Sequence, residues 1–208
     1  MARDGARLAG SVPEVGGDPS GVQEVLRRAE EAWRAATPDS SAAEALLRHG
    51  RRIWEVLRET AGDAPRESRR ALAAAAILHE VGRFVRDRGH HAARAARWTA
   101  IHLDDILAHA SSAERRLVGE LILFHRHRGP LPPELSRPDL VAAFQRAEAL
   151  DRTGGRLPPG HASAALERAE AEWPRGPLRA ALRRSDLHER LRHPFLAGRV
   201  SRILRPDR

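Results

Sequence analysis

A histidine and a carboxylate stand side by side at the end of the most apolar run in the sequence. His79 and Glu80 directly follow the run Ala71–Leu78, which predicts that both side chains are buried. A buried histidine–carboxylate pair costs free energy unless something compensates its charge, and a bound cation would do so. Histidine nitrogens with carboxylate oxygens suit Mn, Fe, Co, Ni, Zn or Mg, and we expect one or two such ions.

Other candidate ligands lie on other predicted helices. His49 stands between Leu46 and Ile53 at three- and four-residue spacing, so it points inward. His91, or its neighbour His90, begins a helix after a short turn.

Two further candidates lie later in the chain. His125 stands in the segment LILFHRH, and Glu148 follows Phe144 by four residues on an apolar helix face. Asp151 lies one turn further on that face and is the alternative for the same carboxylate role.

These residues must be positioned by helices. Apolar spacing predicts helices over about 22–36, 42–60, 66–86, 91–109, 113–127 and 138–151, and one or two more after residue 160. No segment alternates apolar and polar residues for long enough to form a strand. The predicted fold class is therefore all-α, a helical bundle.

The composition excludes several function classes. The 208 residues contain no cysteine, which excludes disulfides, thiolate zinc sites and cysteine nucleophiles. The 36 basic residues, all arginine, and 28 acidic residues give a net charge of +8, which would attract phosphates. Aromatic residues make up only 4%, so sequence-specific nucleic-acid binding is not expected. The arginine pairs, such as Arg51-Arg52, are expected on solvated helix faces.

The sequence also carries expectations about location. The longest apolar run is too short to span a bilayer, and residues 1–20 contain no apolar stretch typical of a signal peptide. We therefore expect a cytoplasmic protein without a membrane partner. Residues 1–20 are predicted to be a flexible arm.

The order of these motifs resembles a known family. ILHEVGRF is similar to the LHDxGK signature of the HD-domain metal-dependent phosphohydrolases. RDRGHHAARAA, LILFHRHRGP and FQRAEALDRTGG follow in the family's order, and His49 falls where the family has its first histidine. The greatest likeness is to the C-terminal HD-like domain of the exopolyphosphatase and guanosine-pentaphosphate phosphohydrolase family, over about residues 42–155.

The resemblance implies a fold, a ligand set and a substrate class. Residues 21–155 would form an HD-like helical domain, with residues 156–208 as a helical extension packed on it. The implied metal ligands are His49, His79, Glu80, His91, His125 and Glu148. Glu80 and Arg83 would be catalytic, and the residues implied for phosphate binding are Arg83, Arg126, Arg146 and Arg152. The expected partner is a phosphorylated small molecule or polyphosphate, and a homodimer is an open alternative.

The sequence departs from the family at two ligand positions. Glu80 and Glu148 stand where the family has aspartate, and each adds one methylene of reach. These changes leave three hypotheses open. The first is a phosphohydrolase acting on a nucleotide, alarmone or polyphosphate. The second is a catalytically degenerate HD-fold protein that binds such a ligand and acts as a regulatory module, and the third is a di-iron oxygenase.

Overall fold

The computed structural model describes residues 19–155, 161–176, 178, 180 and 182. Almost all of the predicted N-terminal arm lies outside these residues, and so does most of the predicted C-terminal extension. None of the described helices is long and apolar enough to cross a membrane.

The described residues form α-helices and contain no strand. The helices are α1 (Pro19–Ala36), α2 (Ser41–Thr60), α3 (Arg66–Leu78), α4 (His91–Ile106), α5 (Ser112–Phe124), α6 (Pro138–Thr153) and α7 (His161–Glu172). A single 3₁₀ turn, Val81–Arg83, lies between α3 and α4. The predicted all-α class is confirmed.

Helix α3 lies at the centre of the bundle. It packs against α1, α2 and α5, and every residue from Ala71 to Leu78 is buried. Its run of alanines presents little side-chain volume, so the neighbouring helices approach closely. The middle of α2 is thereby brought near the ends of α3 and α5.

Helix α3 is shorter than predicted, because it ends at Leu78 rather than near Arg86. The chain tightens into the 3₁₀ turn directly after Glu80. The buried Arg94 holds this non-helical segment, since its guanidinium donates to the carbonyls of Gly82 at 2.7 Å and Gly89 at 2.6 Å. Helix α5 likewise ends at Phe124, before the predicted boundary. His79, Glu80 and His125 therefore follow helix ends.

Two glycines allow close backbone approaches near these ends. A Cβ on Gly50 would collide with the carbonyl oxygen of Ala76, so glycine lets α2 lie directly on α3. A Cβ on Gly82 would collide with the carbonyl oxygen of His91, so glycine lets the 3₁₀ turn lie directly on α4. Each glycine is next to, or in contact with, a candidate ligand.

Candidate metal centre

Two clusters of buried side chains offer ligand atoms at distances that suit metal coordination. We define the first histidine group as His49, His79 and Glu80, and the second histidine group as Glu80, His91 and His125. Within each group, one ligand atom per residue lies within 4.8 Å of the others. Glu80 belongs to both groups, so a single carboxylate lies between two possible cation positions.

The imidazole rings form a continuous buried row. The ring centre of His79 lies 5.2 Å from that of His49 and 5.0 Å from that of His125. His91 continues the row at 5.4 Å from His125. All four histidines are at most 1% exposed.

The same local arrangement orients His79 and His125. Each is the residue that directly follows its helix, and each Nδ1 lies at hydrogen-bond distance from the carbonyl oxygen three residues earlier, at 2.9 Å for Ala76 and 2.6 Å for Ile122. The last carbonyls of a helix have no intrahelical partner, so Nδ1–H satisfies one of them. The other nitrogen, Nε2, is buried and has no hydrogen-bond partner in either residue.

His49 is oriented by a carboxylate instead of a carbonyl. Its Nδ1 lies 2.5 Å from Oδ2 of Asp151, and its Nε2 is also buried without a hydrogen-bond partner. In metal sites, a ligating histidine normally donates its second ring nitrogen to a carbonyl or carboxylate. His49, His79 and His125 all have this arrangement, with Nε2 left available.

Electrostatics favour the protonation states that a metal requires. Burial lowers the pKa of His79 to about 3 and holds the pKa of His125 well below its usual value, so both are neutral at pH 7. Burial alone would raise the pKa of Glu80, but Arg83 and His91 outweigh it and the pKa lies well below its usual value. Neutral imidazoles and an ionised carboxylate are the metal-binding forms.

Glu80 has a cationic partner within the protein. Arg83 Nε pairs with Oε2 of Glu80, and Arg83 Nη2 donates to Oε1 at 3.2 Å. His91 Nε2 lies 3.3 Å from the same Oε2. Arg83 is therefore positioned against the shared carboxylate.

Glu148 is buried but belongs to neither histidine group. Its Oε1 accepts from Arg152 Nη1 at 3.1 Å and lies 3.9 Å from Arg126 Nε. Burial raises the pKa of Glu148, and the neighbouring charge of Arg152 acts against this. Its role as a metal ligand stays a prediction.

The predicted phosphate-binding arginines occupy two different regions. Arg83 lies against Glu80, while Arg126 and Arg152 flank Glu148. Both lie within 3.9 Å of the same oxygen, Oε1 of Glu148, and burial and then the charge of Arg152 lower the pKa of Arg126. Arg126 and Arg152, both partly exposed, therefore form a basic edge beside Glu148, whereas the side chain of Arg83 is buried.

Arg146 lies elsewhere. It is exposed and lines a separate surface groove with Arg137 and residues 59–65. Positions 146 and 148 are about 200° apart around a helix, whereas positions 148 and 152 share a face. The rotation of α6 therefore separates Arg146 from Glu148.

Two other sequence-level interpretations are settled by burial. His90 is exposed and serves as the N-cap of α4, where its Nδ1 accepts from the amide of Ala92 at 3.4 Å, so His91 takes the inward position.

The expectation that Arg52 lies on a solvated helix face is wrong, because its side chain is fully buried. It donates from Nε to Oδ1 of Asp151 at 2.6 Å. Its position three residues after the inward-facing His49 was the available signal.

No protein-family model, no curated protein and no solved structure matches this chain.

The donor set itself fits a divalent metal. Each histidine group offers two imidazoles and one carboxylate, which leaves coordination positions open for water or substrate. Three buried imidazole nitrogens without hydrogen-bond partners are costly in a core that binds nothing, because each loses its solvation. A cation in the first histidine group would satisfy the nitrogens of His49 and His79, and a cation in the second would satisfy that of His125.

Proposed function

We propose that this protein is a metal-dependent phosphohydrolase of the HD type, acting on a phosphoester or phosphoanhydride of a nucleotide, an alarmone or polyphosphate. One observation carries the proposal. Two groups, each of two histidines and a glutamate, share Glu80, while Nε2 of His49, His79 and His125 is buried and unpartnered.

The protein residues would divide the work between holding ions and holding phosphate. The first histidine group would hold one divalent ion and the second histidine group a second. Ions of this kind lower the pKa of a bound water and polarise a phosphoryl oxygen. Glu80 would orient both positions at once, because its carboxylate belongs to both groups.

The arginines supply the complementary charge. Arg126 and Arg152 lie together beside Glu148, at the edge of the cluster, and their side chains are partly exposed. Guanidinium groups bind phosphate oxygens through paired hydrogen bonds. Arg126 and Arg152 would therefore bind either the substrate phosphate that is hydrolysed or the phosphate next to it. Arg83 would stabilise negative charge that develops near Glu80.

The test combines metal content with turnover. Protein purified without chelator is expected to contain one or two equivalents of Mn, Fe, Co, Ni or Zn by mass spectrometry, and to hydrolyse at least one member of a panel of nucleotides, alarmones and polyphosphate. His79→Ala is expected to lose the ion of the first histidine group, and the turnover with it, while far-ultraviolet circular dichroism keeps its helical signal. His102→Ala removes a histidine outside both groups and should keep both. Turnover retained in His79→Ala would refute the site.

One observation favours a second function, a ligand-binding regulatory module without catalysis. Arg83 engages both carboxylate oxygens of Glu80, so the charge of Glu80 is compensated by the protein itself. In that case chelator-treated protein would bind a phosphorylated ligand as tightly as protein incubated with excess Mn²⁺, and no metal would be retained. Calorimetric titration with and without chelator separates the two functions.

A further inference from the structure

A fully buried network of three residues lies behind the first histidine group. Asp151 accepts from Arg52 Nε at 2.6 Å and from Arg52 Nη2 at 3.2 Å. Its Oδ2 also lies 2.5 Å from His49 Nδ1. His49, Arg52 and Asp151 are all 0% exposed, so water does not compete for any of these contacts.

The contacts determine which nitrogen of His49 carries the proton. An ionised carboxylate only accepts hydrogen bonds, so the proton shared with Asp151 belongs to Nδ1 of His49. A neutral imidazole with its proton on Nδ1 has its lone pair on Nε2. Nε2 is the nitrogen without a hydrogen-bond partner, and His49 lies beside His79 and Glu80 in the first histidine group.

Arg52 in turn fixes Asp151. Its Nη1 donates to the carbonyl oxygen of Trp173 at 2.7 Å, which anchors the guanidinium to the chain just after α7. With Nε and Nη2 both directed at Asp151, the carboxylate is held by two hydrogen bonds and an ion pair. Asp151 therefore cannot rotate away from His49 without breaking buried contacts.

We propose that Asp151, held by Arg52, is a positioning residue for His49, which keeps Nε2 unprotonated and makes the first histidine group the tighter cation site. The part that concerns cation affinity rests on the proposed function. The part that concerns the His49 tautomer holds without any metal.

Replacing Asp151 by asparagine tests this arrangement sharply. The amide has one acceptor, and Arg52 Nε is a donor only 2.6 Å from Oδ1. The amide oxygen will therefore face Arg52 Nε, and the NH₂ group will face His49. The NH₂ group must donate to Nδ1, which moves the His49 proton to Nε2 and removes the metal-binding lone pair, as with a misplaced tautomer in a catalytic triad.

Removing Arg52 as well should reverse the effect. In the double variant Arg52→Met with Asp151→Asn, both Arg52 donors are gone and Arg175 Nη2 lies 3.8 Å from Oδ1, beyond hydrogen-bond distance, so the amide oxygen is free to accept from His49 Nδ1. A residue that only fills space would show no such rescue. Glu114→Gln is the matched control, because it neutralises a buried carboxylate that pairs with Arg70 and belongs to neither histidine group.

The experiment has two readouts. Long-range ¹H–¹⁵N NMR of metal-free protein at pH 8 is expected to show the His49 proton on Nδ1 in wild type, Glu114→Gln and the double variant, and on Nε2 in Asp151→Asn. Titration with Co²⁺, followed by visible absorption, is expected to show affinity for the first equivalent reduced about 10–100-fold in Asp151→Asn and largely restored in the double variant.

Each outcome decides something. A proton on Nε2 of His49 in wild type overturns the proposal, even if Asp151→Asn fails to fold. Unchanged tautomer and affinity in a folded Asp151→Asn overturn it as well. If Co²⁺ does not bind wild type, the proposed function fails, while the NMR readout still decides whether Asp151 positions His49.

Discussion

The two histidine groups share Glu80, but different parts of the fold build them. In the first histidine group, His49 lies in the middle of α2 and is backed by the carboxylate of Asp151. In the second histidine group, His91 is the first residue of α4 and His125 follows the last residue of α5. His125 is backed by a neutral carbonyl.

The difference shows two ways to hold a ligand. A helix interior fixes the backbone of His49, so this ligand needs only a partner for its ring, and Asp151 provides a charged one. Helix ends fray more readily, so the backbone around His125 needs additional hydrogen bonds to hold it in place. Gln145 Nε2 donates to the carbonyls of Phe124 at 2.7 Å and His127 at 3.2 Å, on either side of His125.

The largest effect is expected from replacing Glu80, because both histidine groups contain it. Glu80→Gln removes the only residue common to both groups, so metal content is expected to fall from one or two equivalents to nearly none, by mass spectrometry. The change also leaves Arg83 buried without its carboxylate, which costs about 3–5 kcal/mol of unfolding free energy. Glu80→Asp keeps the charge and should retain metal. Full metal content in a folded Glu80→Gln would contradict the shared-ligand arrangement.

Removing one histidine at a time should separate the two groups. His125→Ala is expected to leave one tight Co²⁺ equivalent, and His49→Ala one weaker equivalent, because a carboxylate backs His49 whereas a neutral carbonyl backs His125. Isothermal titration calorimetry gives both stoichiometry and affinity. Equal affinities of the remaining sites would show that Asp151 does not distinguish the groups.

Acidification of metal-free protein should weaken the fold through the buried histidines. The pKa of His79 is about 3 in the folded state, against about 6.5 when unfolded. Below pH 6.5 the unfolded chain binds a proton that the native state does not, so stability is complete above that pH and is lost as pH falls toward 3. His79 alone should account for roughly 2 kcal/mol between pH 7 and pH 5.

Urea denaturation of chelator-treated protein at pH 7 and pH 5 measures this loss. His79→Gln should remove the part of this pH dependence that comes from His79. His125→Gln should remove the part that comes from the lowered pKa of His125. A pH dependence that is identical in wild type and both variants would mean that neither ring is buried in its neutral form.

The smallest effect is expected from removing the hydrogen bonds that Gln145 donates to the backbone around His125. Gln145→Glu keeps the size of the side chain but removes both donated hydrogen bonds, at a cost of about 1–2 kcal/mol. Affinity for the second Co²⁺ equivalent should fall several-fold, while that of the first stays within error. Gln145→Lys restores a donor and is the rescue variant. An equal loss at both equivalents would argue for a general loosening of the core.

The sequence predicts the helices and most of the cluster because both depend on local spacing. His49, His79 and His125 each follow or interrupt an apolar pattern, and burial of that pattern places them together. The pairing of Asp151 with His49 and Arg52 is not predictable in this way, because it joins α6 to α2 across about a hundred residues. Arg146 shows the same limit, since its separation from the site depends on how α6 is rotated against its neighbours.

Sharing Glu80 makes the two cation positions thermodynamically linked. Histidines bind metals as neutral groups, so Glu80 would be the one charged ligand that two divalent ions share, and it already pairs with Arg83. A first ion would therefore oppose a second, and an anion bound beside them would relieve the repulsion. By reciprocity, phosphate must raise the affinity for the second ion by the same factor as that ion raises the affinity for phosphate. Metal stoichiometry should then depend on the phosphate concentration of the buffer.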